Sequence, residues 1–137
     1  MEYLCRLYVE TFGKSDYSSE IDVLVTKLFK LDPTNIWGFY AKGKYLYEMK
    51  KYRDSIKWLK EGLEYKYNIH AAEVFIQAKL KFGDCTGAIE AITEFEKKGK
   101  NLSADVQSRL KYYKVEAYLG EDLVLAEQSL KEVGFYF

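Results

Sequence analysis

His70 is the only histidine of the chain, so a Ser-His-Asp or Cys-His arrangement for nucleophilic catalysis would have to be built on it. It opens a helical segment beside Ala71 and Ala72, and no metal-ligand spacing surrounds it, so it reads as a surface or groove histidine. Cys5 and Cys85 stand far apart without a CxxC spacing. One histidine and two separated cysteines do not make a usual zinc site. Isolated cysteines of this kind fit a reducing compartment, cytoplasmic or nuclear, better than a disulfide frame. The nine glycines are dispersed, with Gly38 and Gly43 inside a helical pattern, so no phosphate-cradling loop is present. The carboxylate pairs Glu94 with Glu96 and Glu121 with Asp122 read as solvated helix faces and turns, and no calcium-loop spacing occurs. The expectation is a non-catalytic protein with no metal and no cofactor.

Recognition is the chemistry the composition favours. Aromatic residues reach 17%, with 13 tyrosines, and Tyr and Trp dominate contact hot spots. A biased genome composition accounts for the same excess. Trp37, Tyr40, Lys44 and Tyr47 recur at helical spacing and share one helix face. Lysine plus arginine number 21 and aspartate plus glutamate number 21, which leaves no electrostatic footprint for nucleic acid or an anionic membrane. Apolar residues make up 48% and charged residues 31%, a globular rather than disordered balance. No apolar run approaches the roughly 20 residues of a membrane span, and no secretory signal is read at the N-terminus. Asn101-Leu102-Ser103 fits a glycosylation sequon by chance.

The elements that position these residues are helices. Ile21, Leu24, Val25, Leu28 and Leu31 form one apolar stripe. Ile56, Trp58, Leu59 and Leu63 form a second, and Ala88, Ile89, Ile92 and Phe95 a third. Val115, Tyr118 and Leu119 continue the pattern. Breaks fall at residues 13–18, 32–35, 50–51, 66–68, 83–84, 98–103 and 120–122, and at Gly134. Ser19 and Ser103 read as N-caps. No alternating, hairpin-bounded strand pattern is found. The chain is expected to be all-α, with eight helices and the last one short.

A period runs through these helices. Ile21, Ser55, Ala88 and Ala126 open every second helix, at spacings of 34, 33 and 38 residues. Val25, Leu59, Ile92 and Leu130 follow four residues later, and Leu28, Gly62, Phe95 and Val133 three beyond those. A two-helix unit of about 34 residues is the tetratricopeptide signature. The chain resembles that family most clearly over residues 36–67. There Phe39, Gly43, Leu46, Tyr52, Ser55, Leu59 and Gly62 stand at the motif's positions, and Pro33 stands where a preceding repeat ends. Residues 69–101 match less fully, and Lys42 stands where the family usually has leucine. The resemblance implies one domain over residues 1–137, an alpha-alpha superhelix of about four antiparallel pairs. Its repeats would span 2–35, 36–68, 69–102 and 103–137.

The resemblance further implies that first helices line a concave groove. That nominates Tyr3, Arg6, Leu7 and Glu10, then Trp37, Tyr40, Lys44 and Tyr47. In the third and fourth pairs it nominates His70, Glu73, Val74 and Gln77, then Lys111, Tyr112, Val115 and Tyr118. The expected occupant is a peptide or helix of a partner protein, which makes the chain an adaptor. The family's clamp for the acidic tails of heat-shock chaperones needs basic and amide side chains where this chain has Glu10, Ala41 and Val74, so that partner is not expected. The alternative is a scaffold subunit of a large assembly, of the kind found in the anaphase-promoting complex. Self-association as a homodimer would then run through Phe135, Tyr136 and Phe137. An RNA-binding helical repeat would require a basic concave face, against which the charge balance counts.

Overall fold

A computed structural model of the protein describes residues 18–132, and side chains within it at residue 20 and at residues 22–123. Among the described residues six helices run in order: α1 Ser18–Leu31, α2 Ile36–Glu48, α3 Tyr52–Tyr65, α4 Ile69–Phe82, α5 Cys85–Lys98 and α6 Ala104–Glu132. The described residues contain no strand, and none of their helices is long and apolar enough to cross a membrane. The chain divides into two units, Met1–Ala78 and Lys79–Phe137, with the boundary inside α4.

Local chemistry sets the helix ends, and it recurs. Asn35 caps α2 by accepting the Trp37 N–H at 2.9 Å, and Asn68 caps α4 by accepting the His70 N–H at 2.9 Å. Ser103 caps α6 by accepting the Val106 N–H at 3.3 Å. Each oxygen satisfies a donor that the first helical turn leaves without an intrahelical acceptor. Ser19, by contrast, already lies inside α1. The turns from α2 to α3 and from α4 to α5 also match. Lys51 N–H donates to Leu46 O and Lys50 N–H to Tyr47 O, while Asp84 N–H donates to Lys79 O and Gly83 N–H to Leu80 O. Both sets are the hydrogen-bond pattern of a Schellman turn, closed by a left-handed residue: Lys50 at φ 62° and Gly83 at φ 92°.

In the first unit α1 packs on α2, and α2 on α3. Val25 and Leu28 of α1 and Leu59 of α3 are buried, the last completely. Two glycines let α2 and α3 approach. A Cβ on Gly43 would collide with the Leu59 side chain, and one on Gly62 would stand 2.5 Å from Phe39 Cβ. Ser55 is also fully buried and donates its hydroxyl to Gly43 O at 2.7 Å, so its one polar group is satisfied across the contact. Phe29, Phe39 and Trp58 form a ring cluster with centroid separations of 5.0 to 6.2 Å. Lys42 bonds Asp22 of α1 at 3.0 Å and lies 5.9 Å from the Trp58 ring centroid, linking three helices with its charge. Leu31, expected in the α1 stripe, is 74% exposed at the end of that helix.

In the second unit α5 packs on α6 through Ala88, Ile92 and Phe95 on one side and Leu110, Tyr113 and Ala117 on the other. Two expectations are corrected here. Gly120–Asp122 is not a turn: α6 runs through it as one helix of 29 residues. Gly120 serves close approach instead, because a Cβ there would stand 2.6 Å from Cys85 Sγ. Glu121 is held at the same place by the Thr86 hydroxyl, which donates to it at 2.7 Å. Second, Leu119 does not join the buried face: it is 54% exposed, on the opposite side of α6 from Leu110, Tyr113 and Ala117, while Val115 and Tyr118, which continue the same pattern but are also nominated for the open groove, are 56% and 48% exposed. The nominated residues Tyr3, Arg6, Leu7, Glu10, Phe135, Tyr136 and Phe137 lie outside the described residues, as do Cys5 and the side chains of Ile21, Ala126 and Leu130.

Candidate functional site: an aromatic face on α2 and α4

The turn before α2 places Trp37. Asp32 accepts from the Thr34 N–H and hydroxyl at 3.3 Å and from the Asn35 amide at 3.2 Å. Asn35 is thereby fixed as the cap, and Trp37 enters the first turn of α2 half-buried. Asn68 holds the start of α4 in the same way, accepting from both the His70 and Ala71 N–H groups at 2.9 and 3.1 Å. These two caps bring three rings together. Trp37 meets Tyr40 edge-on at 5.7 Å, and His70 lies 5.9 Å from Trp37 and 6.2 Å from Tyr40. Edge-on and tilted arrangements at these separations are the favourable ones for aromatic quadrupoles.

Burial sorts the nominated residues. Tyr40 is 4% exposed and Val74 6%, so both belong to the core cluster of the first unit. They form the floor beneath the face and are closed to a partner. Trp37, Lys44, Tyr47, Glu73 and Gln77 are half-buried, and His70 is exposed. Tyr47 leans on Tyr52 of α3 at 5.6 Å. The accessible surface thus combines aromatic edges, an amide, one cation and one carboxylate. Flat apolar rings with polar groups beside them suit an extended or helical peptide with apolar anchors.

The remaining nominated residues sit in the second unit. Lys111, Tyr112, Val115 and Tyr118 are exposed on α6, with the Tyr112 ring against Tyr113 at 6.4 Å. Beside them Glu96, Gly99, Leu102, Gln107, Leu110, Lys111 and Lys114 line an open depression of about 440 Å³. Apart from Lys111, sequence spacing gives no sign of it, because it lies where the end of α5 meets the start of α6 across an irregular connection. Lys114 bonds Glu96 at 2.7 Å on its wall, leaving mixed charge there.

The His70 ring lies beside those of Trp37 and Tyr40. Cys85 is a half-buried free thiol facing Gly120. Asp84 has both a cap role and a partner: it accepts the Gly87 N–H at 2.9 Å and bonds Lys79 at 3.1 Å. The backbone hydrogen bond first, and the lysine second, hold its pKa below the usual carboxylate value. Those contacts begin a helix, and nothing about them points to a substrate. No family model matches the chain, and no curated protein or solved structure matches it significantly.

Proposed function

We propose that the chain is a tetratricopeptide-like array that works as a non-catalytic adaptor, holding a peptide or helix of a partner protein on the α2–α4 face. The observation that carries this reading is the recurrence of the same local devices one repeat apart. Asparagine caps stand at residues 35 and 68, and left-handed turns with identical hydrogen bonds at residues 50 and 83. Burial follows the same stride: Val25, Leu59 and Ile92 are all buried, as are Leu28, Gly62 and Phe95, and Ser55 with Ala88. Stacked helix pairs need that pattern, because each pair has an apolar side it cannot cover alone. A repeating pair also leaves its first helices with a face not used in packing within the pair. Here that face carries Trp37, Lys44, His70 and Gln77, with Tyr47 at its edge against Tyr52 of α3.

Selection from a randomised displayed-peptide library tests the reading. The wild-type chain should enrich a consensus with apolar anchors. Lys44→Glu combined with Tyr47→Ala should lose it while keeping the wild-type circular dichroism. Enrichment that survives this double substitution, or no enrichment by a folded wild type, overturns the assignment of this face.

A further inference from the structure

Helix α6 carries two apolar faces. Leu110, Tyr113 and Ala117 are buried against α5. On the other side Tyr112, Val115, Leu119 and Leu123 are 67%, 56%, 54% and 66% exposed, with Tyr118 beside them at 48%. Positions i, i+3, i+7 and i+11 fall within one narrow arc of a helix, so this is a continuous stripe rather than scattered residues. Side chains of roughly 150–200 Å² each, exposed by half to two-thirds, give a patch of roughly 500 Å². That is in the upper half of the range for the largest patch on a soluble monomer, where such patches are often functional. Two such patches together bury about 1,000 Å², the lower limit for specific association.

The charges beside the stripe say what covers it. Lys111 and Asp122 stand at its two ends and, eleven residues apart, on the same flank. Both are exposed, and no ion pair is formed by either among the described residues. We propose that α6 pairs antiparallel with α6 of a second copy of this chain, about a two-fold axis at the level of Ala117. At a rise of about 1.5 Å per residue, Val115 then lies level with the partner's Leu119, and Tyr112 within about 1.5 Å of the level of the partner's Leu123. Lys111 meets the partner's Asp122 within the same margin, and symmetry forms that ion pair twice. A parallel pairing sets each flank against the partner's other flank, so Lys111 would face Glu116 there and the Lys111–Asp122 pair would not form. One contact opposes association: on the other flank Glu116 lies close to the axis and faces its own copy. The homodimer uses a surface separate from the α2–α4 face and does not rest on that assignment.

Sedimentation equilibrium of the full chain over roughly 5–500 µM, a range suited to a weak interface near the lower size limit, tests the proposal. A monomer–dimer equilibrium is expected. Leu119→Asp, at an exposed site, should weaken it roughly 100-fold, since each dimer loses two buried leucines. Lys111→Glu and Asp122→Lys should each weaken it roughly tenfold, and the two together should restore it. Glu116→Gln should tighten it. Deletion of residues 134–137 and Lys44→Glu should leave it unchanged, so this surface and the peptide face fail independently. A monomer throughout the range overturns the proposal. So does a dimer indifferent to Leu119→Asp, a charge swap without rescue, or a dimer lost on deleting residues 134–137.

Discussion

Replacing Gly62 with alanine tests how closely α2 and α3 must approach. A Cβ at Gly62 would stand 2.5 Å from Phe39 Cβ, 2.8 Å from Phe39 Cγ and 3.1 Å from Ile36 Cδ1. Phe39 Cβ is bonded to the backbone, so no rotamer change removes the contact and the two helices must separate. Overpacking of this kind costs roughly 1–3 kcal/mol, and a collision with a side-chain stem belongs at the upper end. The better helix propensity of alanine returns about 1 kcal/mol. The net loss is about 2 kcal/mol, roughly thirtyfold in the ratio of folded to unfolded chain. Gly38→Ala is the control. Its Cβ would meet the Phe29 ring edge at 2.7 and 2.8 Å, and that half-buried ring must shift within its cluster with Phe39 and Trp58, a cost that the same propensity gain of about 1 kcal/mol offsets, so a net change below about 0.5 kcal/mol is expected. Urea titration followed by tryptophan fluorescence measures both variants, because Trp37 and Trp58 lie in the first unit. A Gly62→Ala chain as stable as wild type, or a Gly38→Ala chain that loses more, refutes the reasoning.

Lys50→Gly should raise stability by roughly 0.5–1 kcal/mol, since lysine at φ 62° carries a left-handed penalty that partly exceeds the entropy cost of glycine; an unchanged urea midpoint would contradict this. Asp84→Asn keeps the α5 cap but removes the charge that faces Lys79 at 3.1 Å. Because the native pKa of Asp84 is depressed, its charge stabilises above the unfolded value of 3.8 and ceases to as pH falls through the native value. Wild type should therefore exceed Asp84→Asn by less than about 1 kcal/mol at pH 7, the pair being partly exposed, with the gap closing below pH 3.8. A gap that persists at low pH would mean that the charge is not its source. Gly120→Ala and Cys85→Ala should couple, the second relieving the first by about 0.5 kcal/mol or more in a double-mutant cycle, and strict additivity would argue against the α5–α6 contact.

Periodic packing is what the residues announce in advance. Ser55, Leu59 and Gly62, with Ala88, Ile92 and Phe95, are buried where a stride of about 34 residues places them. That stride is legible because small and large residues must alternate across a helix contact. Angle around a helix is also legible, and Trp37, Tyr40, Lys44 and Tyr47 do share a face. Depth on that face is not, because it depends on a neighbour that arrives from elsewhere in the chain. Tyr40 and Val74 are covered by the first unit's core, while Trp37 and Tyr47 are half-covered. Apolar spacing cannot reveal whether a second neighbour exists: Leu119 continues an apolar pattern with Val115 and Tyr118, and all three stand exposed. Gly120 misleads for another reason: glycine marks both a turn and a close helix contact, and only the thiol opposite distinguishes them. The asparagines at 35 and 68 sit inside segments recognised as breaks, and their cap role follows from a two-residue offset to Trp37 and His70.

Equal junctions have an engineering corollary. The segment 36–68 begins directly behind one amide-capped entry, at Asn35, and ends on another, at Asn68. A duplicate of it spliced after Asn68 would offer the downstream chain the same doorway it already uses. On the proposed array, length then becomes a dial: each added tile would bring its own Trp37 and Lys44 equivalents to the proposed face.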